Sequence, residues 1–143
     1  MNTSLQTLTL GLCLAAAGLS PTLATAQSAA PAPTLTRTLV TKGDVSVPGR
    51  EGVVMKVELP AGAVAGWHTH PGEEISYVLE GETVLLVAGQ APRKVVAGEG
   101  FVIPAGVVHS ARNESPAAAK LVGVYVVEKG QPLASPAAAP ASP

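Results

Sequence analysis

The stretch that decides the fold is Gly62–Gly81, which reads GAVAGWHTHPGEEISYVLEG. It contains two histidines two residues apart, His68 and His70, and Glu74 follows after a Pro-Gly pair. Residues two apart on a strand lie on the same face, so both imidazoles point the same way. The Pro-Gly pair allows the chain to turn back toward that face. The stretch therefore predicts a strand, a turn and a second strand, with polar side chains gathered in one place.

The third and last histidine of the chain, His109, follows a second turn at Pro104-Ala105-Gly106. Three neutral imidazoles and one carboxylate suit a divalent first-row transition ion. Four protein ligands on an ion that prefers six leave two positions for water or substrate, which is typical of catalytic sites. The alternative is that the histidines line a barrel mouth or satisfy core hydrogen bonds. Because no histidine lies elsewhere in the chain, the pattern favours a metal site.

Short apolar runs, separated by Gly and Pro, flank this stretch on both sides. Residues 53–59 alternate between apolar and polar side chains, as a half-buried strand does. Residues 83–88 and 93–97 flank the turn Gly89-Gln90-Ala91-Pro92, which predicts a hairpin. The predicted strands are residues 53–59, 74–80, 83–88, 93–97, 101–103, 109–113 and 121–128. No amphipathic helix is needed after the N-terminal segment, so the pattern indicates an all-β sandwich or barrel.

Two spaced motifs give the chain a specific resemblance. The first is Gly62-x5-His68-x-His70-x3-Glu74-x6-Gly81, and the second is Gly98-x5-Pro104-x-Gly106-x2-His109-x3-Asn113. Both match the signatures of the cupin superfamily at every spacing, with sixteen residues between them as in short single-domain members. The resemblance covers residues 53–128. Two long motifs in the right order are far more specific than one short motif.

The resemblance implies an all-β, cupin-type double-stranded β-helix, or jelly-roll, barrel over residues 37–129. It implies that His68, His70, Glu74 and His109 hold one divalent transition metal ion, which could be Fe, Mn, Ni, Cu or Zn. Of the adjacent Glu73 and Glu74, only Glu74 fits the motif spacing, so we assign it as the ligand. We add the hypothesis that it also acts catalytically as a proton shuttle. Cupins of this kind commonly pair through their sheets, so we expect a homodimer.

Both ends of the chain differ in composition from the middle. All nine basic and all ten acidic side chains lie between Arg37 and Lys129. Residues 5–23 are rich in Leu and Ala, and Ala24-Thr25-Ala26 supplies a small-x-small cleavage pattern. We predict a signal peptide over residues 1–26, cleavage before Gln27, a periplasmic or secreted protein, and no membrane anchor in the mature form. The Pro/Ala-rich tracts predict a flexible linker at 27–36 and a disordered tail at 130–143.

Charge and pocket composition limit the partners. The formal net charge of −1 gives no basic face for nucleic acid, so we expect a small-molecule substrate or ligand. Ser76, Val78 and Ala111 are in phase with the ligands, and these side chains are small or apolar. No Arg or Lys is clearly placed in the pocket to clamp a carboxylate. This composition favours an uncharged or partly aromatic substrate over a small dicarboxylate.

The fold alone does not name the reaction, and three functions stay open. The first is a metal-dependent enzyme of dioxygenase or lyase type acting on a small organic molecule. The second is a module that binds or senses a small ligand at the same metal without turnover. The third, resembling the germins, is metal-centred protection against reactive oxygen. The intact set of four ligands favours the enzyme slightly.

Overall fold

The computed structural model describes residues 33–141, and these contain ten β-strands and no helix. The strands are β1 (Thr36–Asp44), β2 (Arg50–Leu59), β3 (Val64–Thr69), β4 (Gly72–Glu80), β5 (Glu82–Val87), β6 (Arg93–Val96), β7 (Gly100–Ile103), β8 (His109–Arg112), β9 (Ala119–Glu128) and β10 (Ser135–Pro136). In the described part of the chain, no helix is long and apolar enough to cross a membrane. The predicted signal peptide lies outside the described residues and stays a prediction.

The strands form two antiparallel sheets of five strands each. The first sheet has the order β1-β2-β9-β4-β7, and the second has the order β10-β3-β8-β5-β6. Several neighbours in a sheet are far apart in sequence, as in β2 beside β9, so the chain crosses repeatedly from one sheet to the other. This arrangement confirms the predicted all-β jelly-roll barrel.

The space between the two sheets is filled by side chains that alternate along each strand. In β4, Glu74, Ser76 and Val78 are buried, whereas the intervening Ile75 and Tyr77 are exposed. The apolar core consists of buried residues from both sheets: Val57, Leu59, Ala63, Val78, Leu85, Val95, Ile103, Ala119 and Leu121. The alternation of period two therefore places one polar pair, Glu74 and Ser76, inside an otherwise apolar barrel.

The predicted strands are present, with boundaries that move by one to three residues. The predicted hairpin is confirmed, since β5 and β6 pair antiparallel with Glu82 opposite Val96. Three strands are not in the predicted set of seven: β1, β3 and β10. Of these, β3 contains His68, which the sequence placed on a strand without bounds, whereas His70 lies just past its end. All nine residues of β1 are exposed, so this edge strand lacks the apolar alternation by which a half-buried strand is detected.

The C-terminal residues differ from the predicted disordered tail. Ser135 and Pro136 pair with Thr69 and His68 of β3, and the Ala137 amide donates to the Trp67 carbonyl at 2.9 Å. Leu133 packs against the buried cluster of Val53, Tyr125 and Val127. Composition predicts disorder because Pro, Ala and Ser bury little surface, but backbone hydrogen bonds do not depend on side-chain type.

At Gly72, β4 passes so close to β9 that a side chain would clash with the β9 backbone. We therefore predict that residue 72 must be glycine. A Cβ atom at residue 72 would lie 2.0 Å from the Val126 carbonyl oxygen and 2.7 Å from the Val127 Cα. We expect Gly72→Ala to lower the free energy of unfolding by roughly 1–3 kcal/mol, because the two strands must separate. Chemical denaturation followed by circular dichroism measures this change.

Gly43→Ala is the matched control, because Gly43 lies in edge strand β1 and a Cβ atom there meets nothing within 4 Å. We expect it to be neutral or slightly stabilising. Equal losses of stability in the two variants would contradict the proposed close approach of β4 and β9.

Candidate metal centre

Four side chains meet between the two sheets, at one end of the barrel. His68 comes from β3 and His109 from β8, where the two residues are directly opposite each other. Glu74 comes from β4 in the other sheet, and His70 lies in the turn that connects β3 to β4. One ligand atom from each of these four residues lies within 4.8 Å of the others. The structure thus brings together all four residues that the sequence predicted to be ligands.

One oxygen of Glu74 is at the centre of the cluster. Its Oε2 lies 2.9 Å from His70 Nε2 and 3.1 Å from His109 Nε2. His70, Glu74 and His109 are buried, with exposed fractions of 3%, 7% and 3%, while His68 is partly exposed. Glu73, which alternation directs to the opposite face, is exposed. Glu74, and not Glu73, therefore lies in the cluster.

The outer nitrogen of each imidazole contacts a backbone carbonyl oxygen. His68 Nδ1 lies 2.6 Å from the Gly66 carbonyl, and His109 Nδ1 lies 2.9 Å from the Val107 carbonyl. His70 Nδ1 lies 2.6 Å from the Leu133 carbonyl. A carbonyl only accepts hydrogen bonds, so each Nδ1 carries the proton and donates it. In the neutral imidazoles, each Nε2 therefore has a lone pair directed into the cluster.

Three imidazole lone pairs and a carboxylate facing one another require a positive charge between them. Burial lowers the pKa of His68 from 6.5 to about 4, so this ring is neutral at pH 7. His70 Nε2 is buried and makes no hydrogen bond, although Glu74 Oε2 is only 2.9 Å away. A buried polar atom without a partner is costly. A divalent cation would satisfy all four atoms, so the residues fit a metal ion.

The ionised form of Glu74 is strongly favoured. Burial by itself would raise its pKa, but the ring nitrogens of His109 and His70 beside Oε2 and the hydroxyl of Ser76 beside Oε1 outweigh burial and hold the pKa well below the ordinary 4.5. A carboxylate with so low a pKa is a good ligand and a weak base.

The second oxygen of Glu74 is held by two hydroxyl groups. Ser76 Oγ donates to Glu74 Oε1 at 2.6 Å, and the Tyr125 hydroxyl lies 3.5 Å from the same atom. Tyr125 is opposite Glu74, on β9. Its ring fits there because Gly123 has no Cβ atom, which would lie 2.7 Å from the Tyr125 hydroxyl oxygen. These contacts orient Glu74 so that Oε2 faces the imidazoles.

Tyr125 is one of the residues at the site that the sequence analysis missed. Burial, followed by the charge of Glu74, raises the pKa of its hydroxyl well above the ordinary 10.0. The hydroxyl is therefore protonated at neutral pH. Tyr125 alternates with Leu121 and Val127 on the buried face of β9. The two-residue alternation of β9 could have predicted that Tyr125 lies inside the barrel, but not that it lies beside Glu74.

A cavity of about 40 Å³ adjoins the cluster. Its polar lining includes His68, Glu74, Ser76 and His109, and its apolar lining includes Ala111. Ser76 and Ala111 were expected there, but Val78, expected beside them, lies in the apolar core instead. The lining also contains Arg37, which corrects the expectation that no cationic side chain reaches the pocket. No sequence pattern places Arg37 at the pocket, because it belongs to the exposed edge strand β1.

Comparison with known proteins identifies the family. The cupin domain family model matches residues 55–127. The chain belongs to the cupin family. This match includes all four clustered residues of the present cupin.

Two curated relatives share short segments with this cupin. Dimethylsulfoniopropionate lyase DddQ from Ruegeria pomeroyi is 39% identical over 56 residues, which are 39% of this chain and 28% of the lyase. The HTH-type transcriptional regulator PuuR from Escherichia coli is 41% identical over 56 residues, which are 39% of this chain and 30% of the regulator. The matched segment thus spans less than a third of the length of either relative.

Solved structures agree on the fold. A double-stranded β-helix protein from Klebsiella pneumoniae has a TM-score of 0.59 at 21% identity, covering 68% of this chain and 81% of that one. The lyase DddQ from Ruegeria pomeroyi has a TM-score of 0.53 at 27% identity, covering 57% of this chain and 41% of the lyase.

The C-terminal segment, residues 131–137, supplies the outer partner of one histidine in this cupin. His68 and His109 donate to carbonyls only two residues away, whereas His70 donates to Leu133, which is 63 residues later in the chain. The pairing of β10 with β3 holds the Leu133 carbonyl in place. The C-terminal segment therefore fixes the orientation of His70.

We expect a chain that ends at Gly130 to bind a divalent metal about 10–100-fold more weakly than the full chain, the usual cost of losing an outer partner of a ligand. Without the Leu133 carbonyl, the His70 ring is free to rotate and to change its tautomer. Isothermal titration with Zn²⁺ measures the change.

A chain that ends at Ala137 is the matched control, since it keeps the Leu133 carbonyl, strand β10 and the Ala137 amide. We expect it to bind Zn²⁺ like the full chain. Unfolding curves of both shortened chains measure separately how much the free energy of unfolding falls when the packing of Leu133 is removed. Equal metal affinities in the two shortened chains would contradict a positioning role for the C-terminal segment.

Proposed function

We propose that this cupin is an exported, metal-dependent enzyme of lyase or dioxygenase type that acts on a small organic molecule. His68, His70, Glu74 and His109 would hold one divalent transition metal ion, whether Fe, Mn, Ni, Cu or Zn. The observation that carries the proposal is the convergence of four electron-pair donors within 4.8 Å inside an apolar barrel. A divalent cation would satisfy the carboxylate and all three imidazole lone pairs at once, whereas one added proton would satisfy only one of the lone pairs.

The metal would supply Lewis-acid activation of a substrate bound beside it. The residues around it have separate tasks in this scheme. Glu74 acts as a ligand, and its low pKa makes it a weaker candidate for the proton shuttle that the sequence suggested. The Tyr125 hydroxyl, buried beside Glu74, would donate a hydrogen bond to a substrate in the cavity, but its raised pKa makes it a poor acid.

The resemblance to the lyase DddQ supports an enzyme, since the two chains share both a segment of sequence and the barrel fold. The alternative is a binding or sensing module with the same metal site. Two observations favour it. The cavity has a volume of only about 40 Å³, and the transcriptional regulator PuuR shares a segment of similar identity. Germin-like protection requires a redox-active metal, and zinc at the site would exclude it.

Elemental analysis of the mature protein, expected to begin at Gln27 and purified without a polyhistidine tag, tests the metal directly. We expect about one equivalent of a transition metal, because the four donors describe a single site. Glu74→Gln should bind the metal at least about 10–100-fold more weakly, since it removes the central charge.

Glu73→Gln is the matched control, because Glu73 is the exposed neighbour of Glu74. It should keep the full metal content. The proposal would be contradicted if the unaltered protein bound no metal, or if Glu74→Gln and Glu73→Gln lost the metal equally. Once the metal is known, turnover of short organic acids and sulfonium compounds distinguishes an enzyme from a binding module.

We also propose that the outer face of the first sheet pairs two copies of the chain. Ile75 and Tyr77 of β4 and Val102 of β7 are 47%, 49% and 61% exposed. Ile75 is opposite both Val102 and Val124, so the apolar side chains form a continuous patch across three strands. Such patches mark interaction surfaces.

We expect the protein to sediment as a dimer at micromolar concentration, and Ile75→Lys with Val102→Lys to produce a monomer. Two buried, unpaired ammonium groups per copy would oppose association. Val64→Lys is the control, because Val64 is 57% exposed on β3 of the second sheet. A dimer that survives the double substitution would show that the copies pair elsewhere.

A further inference from the structure

Arg37 is the one cationic side chain that lines the cavity beside the cluster. Its position follows from strand register. Arg37 is directly opposite Val57 in the β1–β2 pair, and directly opposite residues project to the same side of a sheet. Val57 is buried and lines the same cavity. The register therefore directs Arg37 toward the barrel interior, while its location on the edge strand leaves it exposed at the mouth.

Arg37 has no ionic partner there. Eight pairs of oppositely charged groups lie within ion-pair distance among residues 33–141, and none of them includes Arg37. The only carboxylate in the cavity lining, Glu74, is occupied by His70, His109 and Ser76. The guanidinium is close enough to Tyr125 and His68 to affect the pKa of both. The guanidinium thus lies beside the Tyr125 hydroxyl, without a carboxylate partner among residues 33–141, and faces the space that a substrate would occupy.

The remaining lining strengthens this interpretation. Most of it is apolar, including Leu59, Leu85, Phe101 and Leu121, so the hydrocarbon chain of a small acid would contact apolar side chains while its charged end lies at Arg37. The planar guanidinium matches a carboxylate through two parallel hydrogen bonds. A neutral group in the same place would leave those donors unmatched.

We infer that Arg37 is the anion-binding end of the substrate site, and that the substrate class is a small monocarboxylate. The acid group would lie against Arg37 and the other end of the molecule beside Glu74, His109 and Tyr125. This inference rests on the proposed function, because it names the substrate class of the same site.

The size of the cavity sets the length of the acid. A volume of about 40 Å³ holds only a few water molecules, since about 10–15 Å³ of such space holds one. A bulky aromatic substrate does not fit. A short acid fits if its carboxylate stays at the mouth with Arg37 and only its chain enters. The expectation of an uncharged or aromatic substrate is therefore replaced.

The test measures the binding of propionate and of its neutral analogue propionamide to the Zn²⁺-loaded protein, by titration calorimetry or by NMR shifts. The pair differs only in charge at one end. We expect Arg37→Gln to weaken propionate binding about tenfold, the cost of one charge-assisted hydrogen bond, and to leave propionamide within about twofold. Arg37→Lys should restore part of the propionate affinity, because it restores the charge without the planar fork.

Arg93→Gln is the matched control, since Arg93 donates to the Gly100 carbonyl away from this cavity, and we expect no change in either affinity. All variants should retain the same Zn²⁺ content. Equal weakening of propionate and propionamide in Arg37→Gln, no weakening of either, or no propionate binding by the unaltered protein would overturn the inference. If the unaltered protein fails to bind Zn²⁺ but still shows Arg37-dependent propionate binding, the proposed function fails and the anion site stands.

Discussion

The structure depends on one electrostatic constraint, the meeting of a carboxylate and three imidazole lone pairs at one point. Three backbone carbonyls fix it, because each accepts the Nδ1 proton of one ring and so directs the Nε2 lone pair inward. Ser76 and Tyr125 do the same for the carboxylate from the other side. A group of donors held this firmly is preorganised for a cation, since the protein has met the cost of burying a carboxylate among three imidazole lone pairs during folding.

The barrel meets that cost by dividing the site between its layers. His68 and His109 come from adjacent strands of one sheet, and Glu74 comes from the facing sheet. Apolar packing of Val57, Val78, Leu85 and Leu121 drives the sheets together, and this brings the ligands into register. Binding of an ion would in turn stabilise the packed barrel, so folding and metal affinity are coupled.

The sequence predicted the parts of this arrangement that depend on side-chain pattern. Alternation in β4 places Glu74 inside and Glu73 outside, and motif spacing brings His109 to the same point. Backbone contacts leave no such pattern. The carbonyl of Leu133 could not be identified in a Pro/Ala-rich tract, and Arg37 lies on an edge strand whose residues are all exposed. The predicted signal peptide lies outside the described residues.

These missed residues change the view of the site. Leu133 ties the C-terminal segment to a ligand, and Arg37 adds a positive charge to a pocket that composition suggested was neutral. The most direct test of the account is anomalous diffraction from crystals of the metal-loaded protein. The account predicts one peak about 2.0–2.2 Å from the Nε2 atoms of the three histidines and from a carboxylate oxygen of Glu74. An ordered water among the imidazoles, with no anomalous peak, would contradict it.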